Sequence, residues 1–188
     1  MQSTFQIERN RKAIRHWLIF FMVMLVISGL TAIPIESELS VATRFFDFDS
    51  VVGSWLNEIY NAVKNTNENY PYLFYGNDWL AFAHIVLAIV FIGPYKDPVK
   101  NKWVIEFGMI ACLLIIPFAF IAGYARGIPG WWRLIDCSFG IIGLIPLGIC
   151  YHKILAMEKM EEYHEGKFTE FNKLIKHKQN NDHETNLV

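Results

Sequence analysis

The stretch Trp103–Ala125, WVIEFGMIACLLIIPFAFIAGYA, carries a single charged side chain, Glu106, close to its start, and one proline, Pro117, in its interior. It exceeds the ~20 apolar residues with which an α-helix crosses the ~30 Å hydrocarbon core of a bilayer. Three further stretches read the same way. Trp17–Ile35 holds no charge, Trp79–Tyr95 is interrupted by His84 and ends at Gly93–Pro94, and Leu134–Tyr151 has Asp136 near its start. Arg9, Arg11, Lys12 and Arg15 precede the first stretch, as basic residues precede a signal peptide. A signal peptide has an apolar core of only ~7–15 residues ending at a small-residue cleavage site. Here the apolar run continues to Ile33–Pro34–Ile35, so an uncleaved first span is expected. Trp17, Trp79, Tyr95, Trp103, Tyr124, Trp131, Trp132 and Tyr151 fall at the ends of the four stretches, where amphipathic rings prefer the headgroup level.

Composition agrees. The chain has 188 residues, 53% of them hydrophobic, and a mean hydropathy of +0.25. The apolar residues are gathered in long blocks with the charges expelled between them, whereas soluble folds distribute them in short periodic runs. The net charge of −1 gives no field for nucleic acid. The sequence has no zinc spacing, phosphate-binding loop or dinucleotide fingerprint. Cys112, Cys137 and Cys150 form no CxxC and fall at different depths, so they read as packed apolar thiols rather than a disulfide framework.

Orientation follows from Lys and Arg. The N-terminal arm carries four, the connection Tyr95–Lys102 three and the tail from Lys153 six. The long loop Glu36–Asp78 has Arg44 and Lys64, and the turn before the fourth span has Arg126 and Arg133. Thirteen against four places both termini in the cytoplasm. The expected fold is all-α: a polytopic membrane protein with an antiparallel bundle of four transmembrane helices. The expected parts are a cytoplasmic arm over 1–16, a transmembrane domain over 17–152 (spans 17–35, 79–95, 103–125 and 134–151, outer loop 36–78) and a cytoplasmic tail over 153–188. Gly108, Gly123, Gly140, Gly143 and Gly148 are candidates for close helix approach.

Outside the spans, Val52, Trp55, Leu56, Ile59, Tyr60 and Val63 recur at helical spacing after Asp49–Ser50, which can cap a helix. This predicts an amphipathic helix in the outer loop, ended by Asn65–Asn69 and followed by the aromatic turn Tyr70–Gly76. The tail predicts a polar helix over Lys153–Glu165 and a break at Gly166. A short apolar face of Phe168, Phe171, Leu174 and Ile175 follows beside Lys167, Lys173, Lys176 and Lys178, suited to an anionic inner leaflet or a partner. Gln179–Val188 is polar and expected to be unstructured. His164, His177 and His183 are too widely spaced for a local metal site, and no metal is expected.

Ionisable residues in a membrane are costly and need a reason. His84, Arg126, Arg133 and Asp136 form an outer candidate ligand-binding set. Arg133 and Asp136 stand three apart, close enough to pair on a helix. His16, Glu106 and His152 form an inner set, in which His16 and His152 are candidate haem ligands. Lys12–Ala13–Ile14–Arg15–His16–Trp17 partly resembles the opening of the di-haem membrane cytochrome b subunits of formate dehydrogenases and hydrogenases. That resemblance implies a four- or five-span electron-transfer subunit. The sequence departs from the pattern in that His84 has no second histidine in the outer half.

Three functions compete. The first is a non-enzymatic accessory or anchor subunit of a bacterial inner-membrane complex, with the bilayer and other membrane subunits or a second copy as partners and no resident cofactor. The second is an electron-transfer subunit binding b-type haem or quinol, and the third a small transporter or channel. Leu25–Ile27, Ala88–Val90, Leu113–Ile116 and Ile142–Ile145 leave no polar path at mid-depth, which ranks transport last. The first is favoured by elimination, since no nucleophile–base pair shares a depth.

Overall fold

A computed structural model describes the backbone of residues 2–185 and the side chains of residues 5–164, 166–169 and 173. The described chain is helical: α1 (Gln2–Thr31), α2 (Ile35–Ala42), α3 (Val51–Asn69), a 3-10 turn (Pro71–Phe74), α4 (Tyr75–Val90), α5 (Ile92–Lys96), α6 (Lys102–Ala125) and α7 (Gly130–Thr185). Phe5–Thr31, Pro71–Lys96, Lys102–Ala125 and Gly130–Thr169 are each long and apolar enough to cross a membrane, the make-up of a multi-pass membrane protein. Their apolar side chains also face outward: Leu114, Phe118 and Ile121 on α6 are 59%, 71% and 72% exposed. A water-soluble surface does not carry apolar patches of that extent.

Prolines set two of the helix ends. α1 stops at Thr31, short of the Ile35 boundary expected from the apolar run. The Pro34 ring cannot sit against the carbonyl four residues back, on Leu30, and the chain tightens so that Ile33 donates to that carbonyl at 3.3 Å. α2 then starts directly behind Pro34. Pro94 acts alike on Val90, so the run Trp79–Tyr95 is two helices, α4 and α5, with a turn at Phe91. Pro117 and Pro146 lie inside α6 and α7 without ending them, as membrane helices tolerate when the freed carbonyl finds another partner.

The basic residues before Trp17 are helical, since α1 begins at Gln2. One expectation about the tail is corrected. The tail has no break at Gly166, and of the stretch 179–188, expected to be unstructured, residues 179–185 are helical: α7 runs unbroken from Gly130 to Thr185, and residues 186–188 lie outside the described residues. One glycine costs a helix ~1 kcal/mol relative to alanine, too little to stop it among the Glu, Lys, Met and Leu residues that surround it. Phe168 is exposed, and Lys167 lies 5.2 Å over the Tyr163 ring. The side chains of Phe171, Leu174, Ile175, Lys176, His177, Lys178 and His183 lie outside the described residues.

The chain divides into two compact units, Met1–Leu18 with Gly93–Val188, and Ile19–Ile92. In the first, α6 and α7 form an antiparallel hairpin. A Schellman motif turns it: Ile128 N–H donates to the Gly123 carbonyl at 2.8 Å and Gly127 N–H to the Tyr124 carbonyl at 3.2 Å. Gly127 takes the left-handed conformation this requires, with φ 68°. The helices approach closely at Gly140, where a β-carbon would stand 2.5 Å from the Cys112 carbonyl. At the open end Lys102 and Glu158 pair at 2.9 Å. The first half of α1 packs here too, with the Cys150 thiol 3.8 Å from the Ile14 carbonyl it donates to. Ile14, Leu18, Ile105, Leu147, Ile154 and Met157 are fully buried.

In the second unit the later half of α1 runs antiparallel to α4. Phe21 and Phe91 meet edge to face at 4.8 Å, and a β-carbon on Gly29 would stand 2.9 Å from the Ala81 carbonyl. α3 is capped by Ser50, whose hydroxyl accepts from Gly53 N–H at 3.0 Å, and Gly53 fits tightly beneath the Asp47 carbonyl. Leu56 is buried and Trp55, Ile59 and Val63 are half-buried, while Ser54, Glu58 and Asn61 are exposed. Asn67 donates to the Glu36 carboxylate at 2.7 Å, linking α3 to α2.

Candidate functional site

Arg126, Arg133 and Asp136 all sit at the α6–α7 turn, in the first unit. Arg126 is the exposed C-cap of α6. Arg133 occupies the first turn of α7, where its N–H reaches the Pro129 carbonyl at 3.2 Å. Its aliphatic stem crosses α6 over Gly123, the site of a missing β-carbon that would lie 2.5 Å from Arg133 Cδ. The guanidinium ends 5.7 Å above the Phe120 ring. Its Nε is buried and has no hydrogen-bond partner among the described residues.

The expected Arg133–Asp136 ion pair is not formed, since the described ion pairs are Lys100–Asp97 and Lys102–Glu158. The reason is geometric. Gly123 opens a channel across α6, and the long stem takes it toward Phe120 instead of following α7 toward Asp136. Asp136 is half-buried. A cation held this way, stacked on an aromatic face with an N–H pointing at nothing, is a donor set for an anionic or carbonyl oxygen.

His84 lies in the second unit, on α4. Its β-carbon is 2.7 Å from where a β-carbon on Gly29 would lie, and its Nδ1 is 2.8 Å from the Leu80 carbonyl. In the tautomer that donates this bond, Nε2 is left as an acceptor.

His16, Glu106 and His152 belong to the first unit. His16 Nδ1 stands 2.7 Å from the Lys12 carbonyl, which likewise leaves Nε2 free. His16 is exposed, whereas Ile14 and Leu18, two residues to either side, are buried. His152 is also exposed, between buried Cys150 and Ile154. Both imidazoles thus point away from the packed face of their own helix. Glu106 is half-buried, one turn from Lys102. Among the described residues no three His, Cys, Asp or Glu side chains gather to hold a metal ion.

Two contacts were not legible in the sequence. Lys102 and Glu158 are 56 positions apart, and only the folding back of α7 on α6 brings them together. Arg15 Nε donates to the Tyr95 carbonyl at 3.2 Å, and its guanidinium lies 5.5 Å over the Tyr95 ring. No protein family, curated protein or solved structure matches the chain.

Arg133→Met is a direct test of the turn. It keeps an apolar stem over Gly123 and removes the unpartnered Nε, whose burial costs about 1–3 kcal/mol. The expected result is a higher thermal midpoint in detergent. A lower one means the guanidinium already holds a counter-group and the site is built around it.

Proposed function

We propose that this chain is a non-enzymatic anchor subunit of a bacterial inner-membrane complex, with four spans bundled together, both termini cytoplasmic and α3 lying on the outer surface. The observation that carries the reading is the length of α7. At ~1.5 Å per residue, its 56 residues reach about 84 Å, and a ~30 Å hydrocarbon core accounts for little more than a third of that. The remainder, from about His152 onward, is a helical stalk continuous with a span. A rigid rod fixed in the bilayer suits holding a second subunit at a set distance from the membrane. The Lys and Arg distribution supports the cytoplasmic side for it.

Deleting the residues after Gly166 tests this. Expected is full insertion, because all four apolar segments precede the cut, together with loss of a companion that co-purifies stoichiometrically with the intact chain. Retention of that companion, or failed insertion, defeats the reading.

One observation favours the second reading, an electron-transfer subunit carrying b-type haem or quinol. His16 is oriented through Nδ1 with Nε2 outward, the arrangement of an axial ligand supported by a backbone carbonyl. As both imidazoles face outward, such a haem would be shared with a partner or a second copy. A reduced-minus-oxidised band that disappears in His16→Ala would move the function there.

A further inference from the structure

We propose that the N-terminal turns of α1 form a binding site for an anionic phospholipid headgroup, with Arg11 and Arg15 as the phosphate ligands and Lys12 beside them. The inference rests on α1 crossing the bilayer and is independent of the anchor reading. Ile7, Glu8, Arg11, Lys12 and Arg15 line a groove of about 480 Å³. Positions 8, 11, 12 and 15 fall on one face of a helix, and α1 is helical from Gln2 through to its apolar run, so the cations are held in fixed register with the span. Arg15 and Arg11 stand two and six residues before Trp17, about 3 and 9 Å along the axis. That is the headgroup layer, where phosphates lie.

The two arginines are prepared for an oxyanion in different ways. Arg15 spends its Nε on the Tyr95 carbonyl and rests on the Tyr95 ring, which fixes the guanidinium plane and leaves its terminal nitrogens for a ligand. Arg11 has a buried Nε with no partner among the described residues. Glu8, at the groove's edge, pairs with none of the three cations, the described ion pairs lying elsewhere. A planar guanidinium fork matches two phosphate oxygens, and a cation so placed gains from a phosphodiester what water supplies less specifically. Anionic lipid beside a basic juxtamembrane segment adds long-range attraction.

The test uses the full chain in nanodiscs of phosphatidylcholine, with or without a minority of phosphatidylglycerol, and in phosphatidylcholine discs with added sodium phosphate. Thermal midpoint and co-retained lipid, read by native mass spectrometry, are compared for wild type, Arg9→Gln, the pair Arg11→Lys/Arg15→Lys and the pair Arg11→Gln/Arg15→Gln. Expected is a midpoint rise and retained phosphatidylglycerol in wild type and Arg9→Gln. The lysine pair, which keeps the charge without the fork, should retain less. Retention should be weaker by roughly tenfold or more in the glutamine pair, the loss of charge-assisted hydrogen bonds. Wild-type retention in the glutamine pair overturns the site, and an equal loss in Arg9→Gln shows diffuse attraction instead. A full midpoint rise with sodium phosphate alone replaces the lipid by a free anion. Should the glutamine pair fail to fold by size exclusion, Arg11→Gln alone carries the same test, because it leaves the Arg15–Tyr95 contact whole.

Discussion

Gly140→Leu is expected to prevent the α6–α7 hairpin from closing. The first atom of any side chain there would stand 2.5 Å from the Cys112 carbonyl and 3.4 Å from Ile115 Cβ. The nearer obstacle is backbone, which cannot rotate away as a side-chain tip can, so the helices must separate along the contact. Overpacking typically costs about 1–3 kcal/mol. Gly140→Ala should fall in that range, and leucine, with three more carbons in the same gap, should exceed it. Gly148 is the matched control: it lies on the same helix, but a β-carbon there meets nothing within 4 Å. Gly148→Ala should be neutral or stabilising by up to ~1 kcal/mol through helix propensity. Thermal unfolding in one detergent compares the three, and equal midpoints for Gly140→Ala and Gly148→Ala would refute the close crossing.

Ile154→Ala should destabilise the first unit by about 2–5 kcal/mol, the usual cost of emptying a fully packed isoleucine site. Ile154 has no exposed surface, while Ile145, also on α7, is 56% exposed. Ile145→Ala should stay within about 0.5 kcal/mol, as for other surface positions, because lipid tails fill the space that the side chain leaves. The fully buried residues Ile14, Ile154 and Met157 lie beyond the apolar runs bounded by Trp17 and Tyr151. Under the proposed topology that end of the unit meets headgroups and water, so the hydrophobic effect acts on it. Within the hydrocarbon core it does not drive helices together, since lipid is as apolar as leucine. Unfolding of Ile154→Ala and Ile145→Ala in nanodiscs checks this, and similar midpoints would show that the packed end contributes no more than a lipid-facing surface.

Of the candidate sites, the residue types were legible and the pairings were not. Arg133, Asp136 and His84 stood out because charge in an apolar run is expensive. Spacing alone suggested that Arg133 would meet Asp136. The side chain goes elsewhere because Gly123, on another helix, leaves it a path to Phe120. The basic residues before Trp17 were read for orientation, for likeness to a signal peptide and, from Lys12 on, for a partial cytochrome b resemblance, and not as a ligand site. That Arg15 is pinned to Tyr95, leaving a prepared fork, depends on a contact across 80 positions.

What the sequence by itself determined is the set of apolar helices: their number, the aromatic rings at their ends and the bias of Lys and Arg. These follow from the cost of placing charge and unpaired backbone in hydrocarbon, a cost that each segment meets alone. Tertiary structure decided which apolar residues meet protein rather than lipid, and which glycines are crossings: Gly140 and Gly148 look alike in sequence. It also decided the partners of Arg133 and Lys102. A soluble helix shows its packed face as an apolar stripe against polar residues. In a span both faces are apolar, so that contrast is erased, and the contacts that choose between them come from residues distant in the chain.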